Sequence, residues 1–259
     1  MTNDIIVIGA GIIGISTALE LQRRGYQVRV LDRAGIATEA SSGNAGAFAF
    51  TEIEPLATPG IMRKAPKWLL DPLGPLSLPP SYALKIAPWM LRFWRASWKD
   101  RYTASVDAQT QLMTHSRAAL ERQITAFNGE VMMQREGQLQ LYEGTKEFRA
   151  SLLGWELRRA HGIDFQMLEG HDAIAEIQPG LDPRFTHAVF TLGWMNTVDP
   201  QAWTQHLAAV FLANGGRIDT ASIHAMECDD SATVVQTENG PITAPKVIVA
   251  AGAWSHHLA

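Results

Sequence analysis

The sequence predicts an α/β protein, built on a parallel βαβ unit and interrupted by a long α+β excursion. Three observations carry this. An apolar, β-branched run near the N-terminus ends in a G-x-G-x-x-G, a second strand pattern closes on an acidic residue, and a further apolar run with a small-residue turn lies near the C-terminus.

Ile5-Ile6-Val7-Ile8 has no polar alternation and reads as a strand buried on both faces. It runs into Gly9-Ala10-Gly11-Ile12-Ile13-Gly14. Gly9 permits a tight turn, Gly11 lets the backbone approach a pyrophosphate, and Gly14 lets helix and strand come close. Gly14, Ala18 and Leu21 then fall at helical spacing, and Gly25 stops the helix. Gln27 to Leu31 forms the second strand, with Asp32 at its end. The positive helix end and its free N–H groups suit phosphates, and Asp32 can accept hydrogen bonds from ribose 2′- and 3′-hydroxyls. Its charge would repel a 2′-phosphate, which points away from NADP. This is a Rossmann-like dinucleotide fingerprint.

Composition removes several function classes. The chain has 259 residues, 46% hydrophobic and 19% charged, as in a globular protein with ample core. Lys and Arg total 22 against 26 Asp and Glu, a net charge of -4, so no basic field invites nucleic acid. The single cysteine, Cys228, cannot close an intramolecular disulfide. No run is long enough to span a bilayer, and the N-terminus does not read as a signal peptide. A cytoplasmic location follows as the expectation.

Residues 47–198 form the excursion. Long helix patterns run from about Val106 to Phe127 and from Phe148 to Arg159; Met132-Met133 and Gln138 to Tyr142 read as strands flanking Gly137. Four of the eight tryptophans, Trp68, Trp89, Trp94 and Trp98, crowd the stretch before the long helix. Leu91, Trp94 and Trp98 share one helical face there, and Arg92, Arg95 and Lys99 another. Two readings fit: a surface helix touching a membrane, or tryptophans packed on the protein's own core. The second is the expectation.

The chain then returns to the first domain. Asp199-Pro200 is an N-cap with proline at the first helical position, ahead of Trp203, Leu207, Val210 and Phe211, and Gly215-Gly216 closes the helix. Ile218 and Ile223 fall in successive strands. Val234 to Thr237, Asn239-Gly240 and Ile242-Thr243 read as a hairpin with a type I′ turn. The domains are thus 1–46, 47–198 and 199–259, the first and third forming one unit.

Glu39-Ala40-Ser41-Ser42-Gly43-Asn44-Ala45-Gly46 resembles the T-S-x-x-N-x-G segment of the D-amino-acid oxidase superfamily of flavoproteins, most closely its D-amino-acid dehydrogenase branch. Val247 to Ser255, with Ala251, Gly252 and Trp254, is similar to that family's later FAD-domain strand and A-x-G-x-W turn. The resemblance implies a Rossmann-like FAD-binding domain interrupted by an α+β substrate domain with a mixed or antiparallel sheet. It implies non-covalent FAD held by Gly9, Ala10, Gly11, Ile12, Ile13, Gly14, Asp32, Arg33, Ser41, Ser42, Asn44, Ala45, Gly46, Ile223, Ala251, Gly252 and Trp254. Ile223 would meet adenine through its backbone, and the stretch from Asn44 to Phe48 would face the flavin ring. Members of the family continue beyond the A-x-G-x-W turn, so this chain is expected to be the N-terminal part of a longer protein.

The implied activity is oxidative deamination of D-amino acids, with electrons passing to a membrane quinone or an electron carrier and a peripheral membrane contact as one form of that hand-over. The alternatives are a glycine- or sarcosine-type amine oxidase using oxygen, and a truncated nucleotide-binding module without catalysis. No catalytic residue is assigned. Gly14-Ile15-Ser16-Thr17-Ala18 lies inside the fingerprint helix and is no nucleophile elbow, and His256-His257 lacks the spaced partners of a metal site.

Overall fold

A computed structural model describes residues 4–63, 79–229 and 231–258. Trp68 lies outside them. The chain clusters into two units, one of residues 1–48, 123–134 and 196–259, the other of residues 49–122 and 135–195.

The first unit is built on a four-stranded sheet. Strand β1 (Asp4–Ile8) lies between β2 (Gln27–Asp32) and β13 (Lys246–Val249), and β9 (Arg217–Thr220) extends the sheet beside β2. All three pairings are parallel, with Val7 opposite Val30 and Ile248. Parallel pairing demands crossovers, and helices α1 (Ile12–Arg23) and α6 (Pro200–Ala213) supply them and pack on each other. The Gln22 amide locks the pair by donating to the carbonyls of Phe211 at 3.1 Å and Asn214 at 3.0 Å, near the C-terminal end of α6. At the other end of α6, Asp199 accepts from the N–H groups of Gln201 and Ala202, as the N-cap pattern predicts, and Trp203, Leu207 and Phe211 are buried.

Alternation along β1 sorts its side chains. Ile6 and Ile8, with Leu31, meet Val235 and Ala244 of an antiparallel meander made by β10 (Ile223–Cys228), β11 (Thr233–Thr237) and β12 (Gly240–Ala244). Ile5 and Val7 point the other way and are also buried, so the uninterrupted apolar run matches a strand covered on both faces. The hairpin differs from expectation in its turn. Thr237 pairs with Gly240, leaving Glu238-Asn239 as the loop, and only Gly240 has positive φ, at +106°. Its Asn-Gly pair straddles the turn exit, and the Thr237 hydroxyl donates to the Gly240 carbonyl at 2.6 Å.

A small sheet joins β3 (Ala47–Phe48), β8 (Met195–Thr197) and β4 (Met133–Gln134), one residue later than the predicted Met132-Met133 strand. In the second unit β5 (Gln138–Tyr142), β7 (His187–Thr191) and β6 (Gln166–Glu169) make an antiparallel sheet. Helix α4 (Thr145–Ala160) packs Trp155 against Tyr142 and Val189, and α5 (His171–Ile177) sets Ile174 against Leu168 and Ala188.

The aromatic stretch departs from the sequence reading. Helix α2 (Ala83–Ala96) ends before Trp98, because the Ser97 hydroxyl takes the Trp94 carbonyl at 2.7 Å; α3 (Lys99–Ala126) then begins seven residues ahead of its predicted start. Arg95 closes the corner on Asp100 with contacts of 3.1 and 2.7 Å and lies over the Trp98 ring. No described residue of α2 is buried, and Trp89, Trp94 and Trp98 are about half exposed. These three tryptophans are therefore not core residues.

Candidate functional site

The three parallel strands β13, β1 and β2 end side by side, and their C-terminal turns open on a cavity of about 500 Å³. This is where α/β sheets bind ligands. Gly9, at φ +111°, makes the turn out of β1, and a Cβ there would run into the Ala250 carbonyl. Gly14 permits the close approach of α1 to β1, since a Cβ would collide with the carbonyl oxygen of Gly9. Gly11 is different. A Cβ on it would meet only the Ser41 hydroxyl, at 3.0 Å, so the space above it belongs to the cavity.

That hydroxyl also accepts the Ile12 N–H at 3.0 Å. It stands where the first turn of α1 needs an acceptor, and its own hydrogen stays available to donate. Helix α1 has no acidic residue in its first turn, so nothing there repels an anion. Asp32 accepts from Ala10 N–H at 2.8 Å with one oxygen and from Ala34 and Gly35 N–H at 2.8 and 2.9 Å with the other. It therefore shapes the turn while facing the cavity. Arg33 pairs with Glu39 at 2.8 Å and lies over the Trp254 ring, 4.1 Å from its centre.

Gly9, Gly11, Ile12, Ile13, Asp32, Arg33, Ser41, Asn44, Ile223, Ala251, Gly252 and Trp254 all line the cavity. Five sequence-predicted residues do not. Ala10 is fully buried under the loop, and Gly14 sits at the helix–strand contact. The Ser42 hydroxyl donates to the Glu39 carbonyl at 2.8 Å, and Gly46 bonds to Thr197 of β8 through its carbonyl. Ala45 is outside the lining as well. Asn44 braces its own loop, accepting from Gly46 N–H at 2.8 Å and donating to the Ala40 carbonyl at 3.2 Å.

Among the lining residues that the sequence reading missed are Gly35, Ala37, Thr38, Glu39, Ala221, His257 and Leu258. Gly35 is the signal that could have found most of them. At φ +102° it turns the chain after Asp32-Arg33, so that Ala37 donates to the Ala10 carbonyl at 3.0 Å and the following loop lies over the glycines. His256 and His257 are exposed, their rings 3.8 Å apart. Among the described residues no group of three or more His, Cys, Asp or Glu is placed to hold a metal.

Backbone N–H donors, a hydroxyl and an accepting carboxylate around a glycine-floored space fit the diphosphate and ribose of a dinucleotide. Residues 4–259 match the family profile for FAD-dependent oxidoreductases, DAO. The chain belongs to the DAO family. Within it, the chain is 31% identical over 258 residues to a D-amino-acid oxidase of Bradyrhizobium diazoefficiens, covering 98% of this chain and 61% of that one. It is 32% identical over 256 residues to a D-amino acid dehydrogenase of Allorhizobium ampelinum, covering 97% and 61%. Among solved structures it resembles the glycine oxidase of Bacillus cereus with a TM-score of 0.69 at 20% identity, covering 98% of this chain and 56% of that one. The DAO-family chain thus spans about three fifths of the length of these curated relatives.

The second unit holds a polar network of its own. Arg158, 8% exposed, pairs with Glu52 at 2.6 Å and Glu54 at 3.6 Å, and Glu54 accepts the Tyr102 hydroxyl at 3.0 Å. Burial, with the Glu54 charge beside it, pushes the Tyr102 phenol up to about 12. The network ties residues 52–54 to α3 and α4. Near it a cavity of about 580 Å³ is lined in part by Phe50, Thr51, Ile53, Met113 and Arg117.

Proposed function

We propose that this chain is the FAD-binding part of an oxidoreductase that deaminates D-amino acids oxidatively. The observation that carries the reading is the cavity in which Gly11, Ile12, Ser41 and Asp32 converge beyond the ends of β1 and β2. In it the Ile13 N–H and the Ser41 hydroxyl would hold the diphosphate, and the one lone pair that Asp32 keeps free would take a ribose hydroxyl. The identities of 31 and 32% to proteins named D-amino-acid oxidase and D-amino acid dehydrogenase support the substrate class. FAD, when bound, would supply the two-electron oxidation of an amino acid to its imine, which water hydrolyses to a 2-oxo acid and ammonia. What the chain itself contributes is orientation. Asn44 fixes the loop that leads into β3, and the Ala47–Phe48 strand is held by its place in the β3-β8-β4 sheet.

The test is a titration of the purified protein, in a form extended to the length of its relatives, with FAD. A yellow complex, bleached without oxygen by D-alanine and not by L-alanine, is expected. Bleaching by glycine or sarcosine alone, with peroxide formed in step in air, would favour the amine-oxidase alternative. FAD binding with no bleaching by any amine would leave a nucleotide-binding module.

A second observation favours a membrane surface as the place of electron hand-over. Helix α2 exposes Leu84, Trp89, Leu91 and Trp94, carries Lys85 and Arg92, and has no acidic side chain. Such a helix suits the interface of an anionic bilayer. Among the described residues no helix is long and apolar enough to cross a membrane, so the contact would be peripheral.

A further inference from the structure

We infer that the second unit binds the carboxylate of a small aliphatic acid in its cavity of about 580 Å³, with Arg117 as the anchor and Thr51 as a second donor. This goes beyond the function proposed above by giving the unit a binding site that needs no flavin. Only the choice of an amino acid and its 2-oxo acid as the two sources of the carboxylate rests on that reading. One face of α3 walls the cavity, since Thr110, Met113, Thr114, Arg117 and Glu121 recur at intervals of three and four. The Thr110 and Thr114 hydroxyls donate back to helix carbonyls, of Val106 at 2.8 Å and of Thr110 at 2.9 Å. Glu121, one turn along from Arg117, would be its partner on the helix, but gives both oxygens to Arg135 at 2.7 Å. Arg117 itself makes no hydrogen bond or ion pair with a described residue. Its planar fork is thus left for a ligand, and it matches a carboxylate.

The second donor comes from another segment. Along residues 51–54 the side chains alternate: Glu52 and Glu54 turn to Arg158, while Thr51 and Ile53 line the cavity. Thr51 is 5% exposed, yet its hydroxyl meets no described partner. A buried hydroxyl is costly until something pairs with it. Gly193 brings the two residues together. A Cβ there would lie 3.2 Å from Thr51 Cγ2 and 3.5 Å from Arg117 Nη1, so the missing side chain leaves space beside both. Ile53, Met113 and Leu192 add an apolar lining for an aliphatic body. Asp164 lines the cavity too, is without a described partner, and would accept an ammonium group, which separates an amino acid from its oxo acid.

The experiment titrates the whole chain, free of FAD, with D-leucine, 4-methyl-2-oxopentanoate and D-leucinamide by calorimetry. Binding of an acid and not of the amide is expected. A preference for D-leucine that Asp164→Asn abolishes would mark the amino acid as the source, and a preference for the oxo acid would mark the other. Arg117→Met should weaken the acids about tenfold, and Arg117→Lys, which keeps the charge and loses the fork, by less. Arg117 is exposed, so both variants should fold like the wild type. Thr51→Val should weaken the acids about threefold while the urea midpoint holds or rises, because the hydroxyl it removes has no partner to lose. A merely structural threonine would lower that midpoint. No binding of either acid, equal binding of the amide, or Arg117→Met binding the acids as tightly as wild type would overturn the site and leave the FAD reading intact. A wild-type chain that holds the acids through Arg117 but takes up no FAD would overturn the FAD reading and leave the site standing.

Discussion

The Asp32 carboxylate accepts the Ala10 backbone N–H at 2.8 Å, bonding the end of β2 to the glycine turn that leaves β1. With the N–H groups of Ala34 and Gly35 on its other oxygen, the side chain organises the loop before any ligand arrives. Carboxylates offer about four lone-pair sites, so capacity for a ribose remains. Asp32→Ala should therefore lose stability and affinity together. Three partly exposed hydrogen bonds to a charged acceptor amount to about 2–4 kcal/mol, read from urea midpoints. FAD affinity should fall at least tenfold. Wild-type values for both would show that this carboxylate neither shapes nor serves the site.

Gly14 and Gly25 offer a matched contrast. A Cβ on Gly14 meets the Gly9 carbonyl, backbone against backbone, and relief requires α1 to move off β1. Gly14→Ala should cost about 3 kcal/mol or more. Gly25 has φ +86° and open space around it, so Gly25→Ala carries only the left-handed penalty of about 1–2 kcal/mol. Equal losses in the two variants, measured by urea unfolding, would count against the close approach of helix and strand.

How far these features were legible depends on whether they are local. The βαβ unit could be read because Ile5 to Ile8, Gly9, Gly14 and Asp32 each answer a nearby steric or electrostatic demand, and β1, α1 and β2 follow them. The N-cap at Asp199 was legible for the same reason. The corner at Ser97 was not, because the same residues keep helical periodicity on both sides and the break is made by one hydroxyl and an Arg95–Asp100 pair. Nor was the far lining of the cavity. Ala221 and Leu258 arrive there through strand order, which no short window of sequence contains. Ser41 and Ser42 show the limit most sharply: two adjacent serines, of which only the first faces the cavity.

That pair makes a prediction. Ser41→Ala leaves the Ile12 N–H without its acceptor, at a cost of about 1 kcal/mol as for a lost helix cap. It should also weaken FAD, because the hydroxyl that would donate to the diphosphate is gone. Ser42→Ala removes a local bond to the Glu39 carbonyl and should leave FAD affinity within about twofold, a change below roughly 0.5 kcal/mol. Calorimetric titration of both variants decides it, and equal effects would argue against Ser41 as the cavity-facing serine.

Helix α2 predicts lipid dependence. Flotation with vesicles containing phosphatidylglycerol should carry the protein upward, and neutral phosphatidylcholine vesicles should carry much less, since Lys85 and Arg92 need anionic partners. Trp89→Ser with Trp94→Ser should reduce the floated fraction several-fold while the folded spectrum is kept, because both rings are about half exposed. Protein left wholly at the bottom of the gradient with anionic vesicles would remove the membrane reading.

Tyr102 predicts the alkaline behaviour of the second unit. Its phenol, partly buried and bonded to Glu54, is pushed up to about 12, above the usual value of 10.0. A folded-state value above the unfolded one means that folding retains a proton. The associated stability is therefore complete below pH 10 and is lost as pH rises through about 12. Tyr102→Phe has no proton to lose. It also gives up the 3.0 Å bond to Glu54, so it should start less stable than wild type at pH 8, by about 1 kcal/mol. Between pH 10 and 12 the gap should close, because only the wild type sheds this contribution. Urea unfolding at several pH values, read through the buried Trp155 of the same unit, gives the difference directly, and a gap that stays constant across that window would show that Tyr102 ionises as freely in the folded protein as in the unfolded chain.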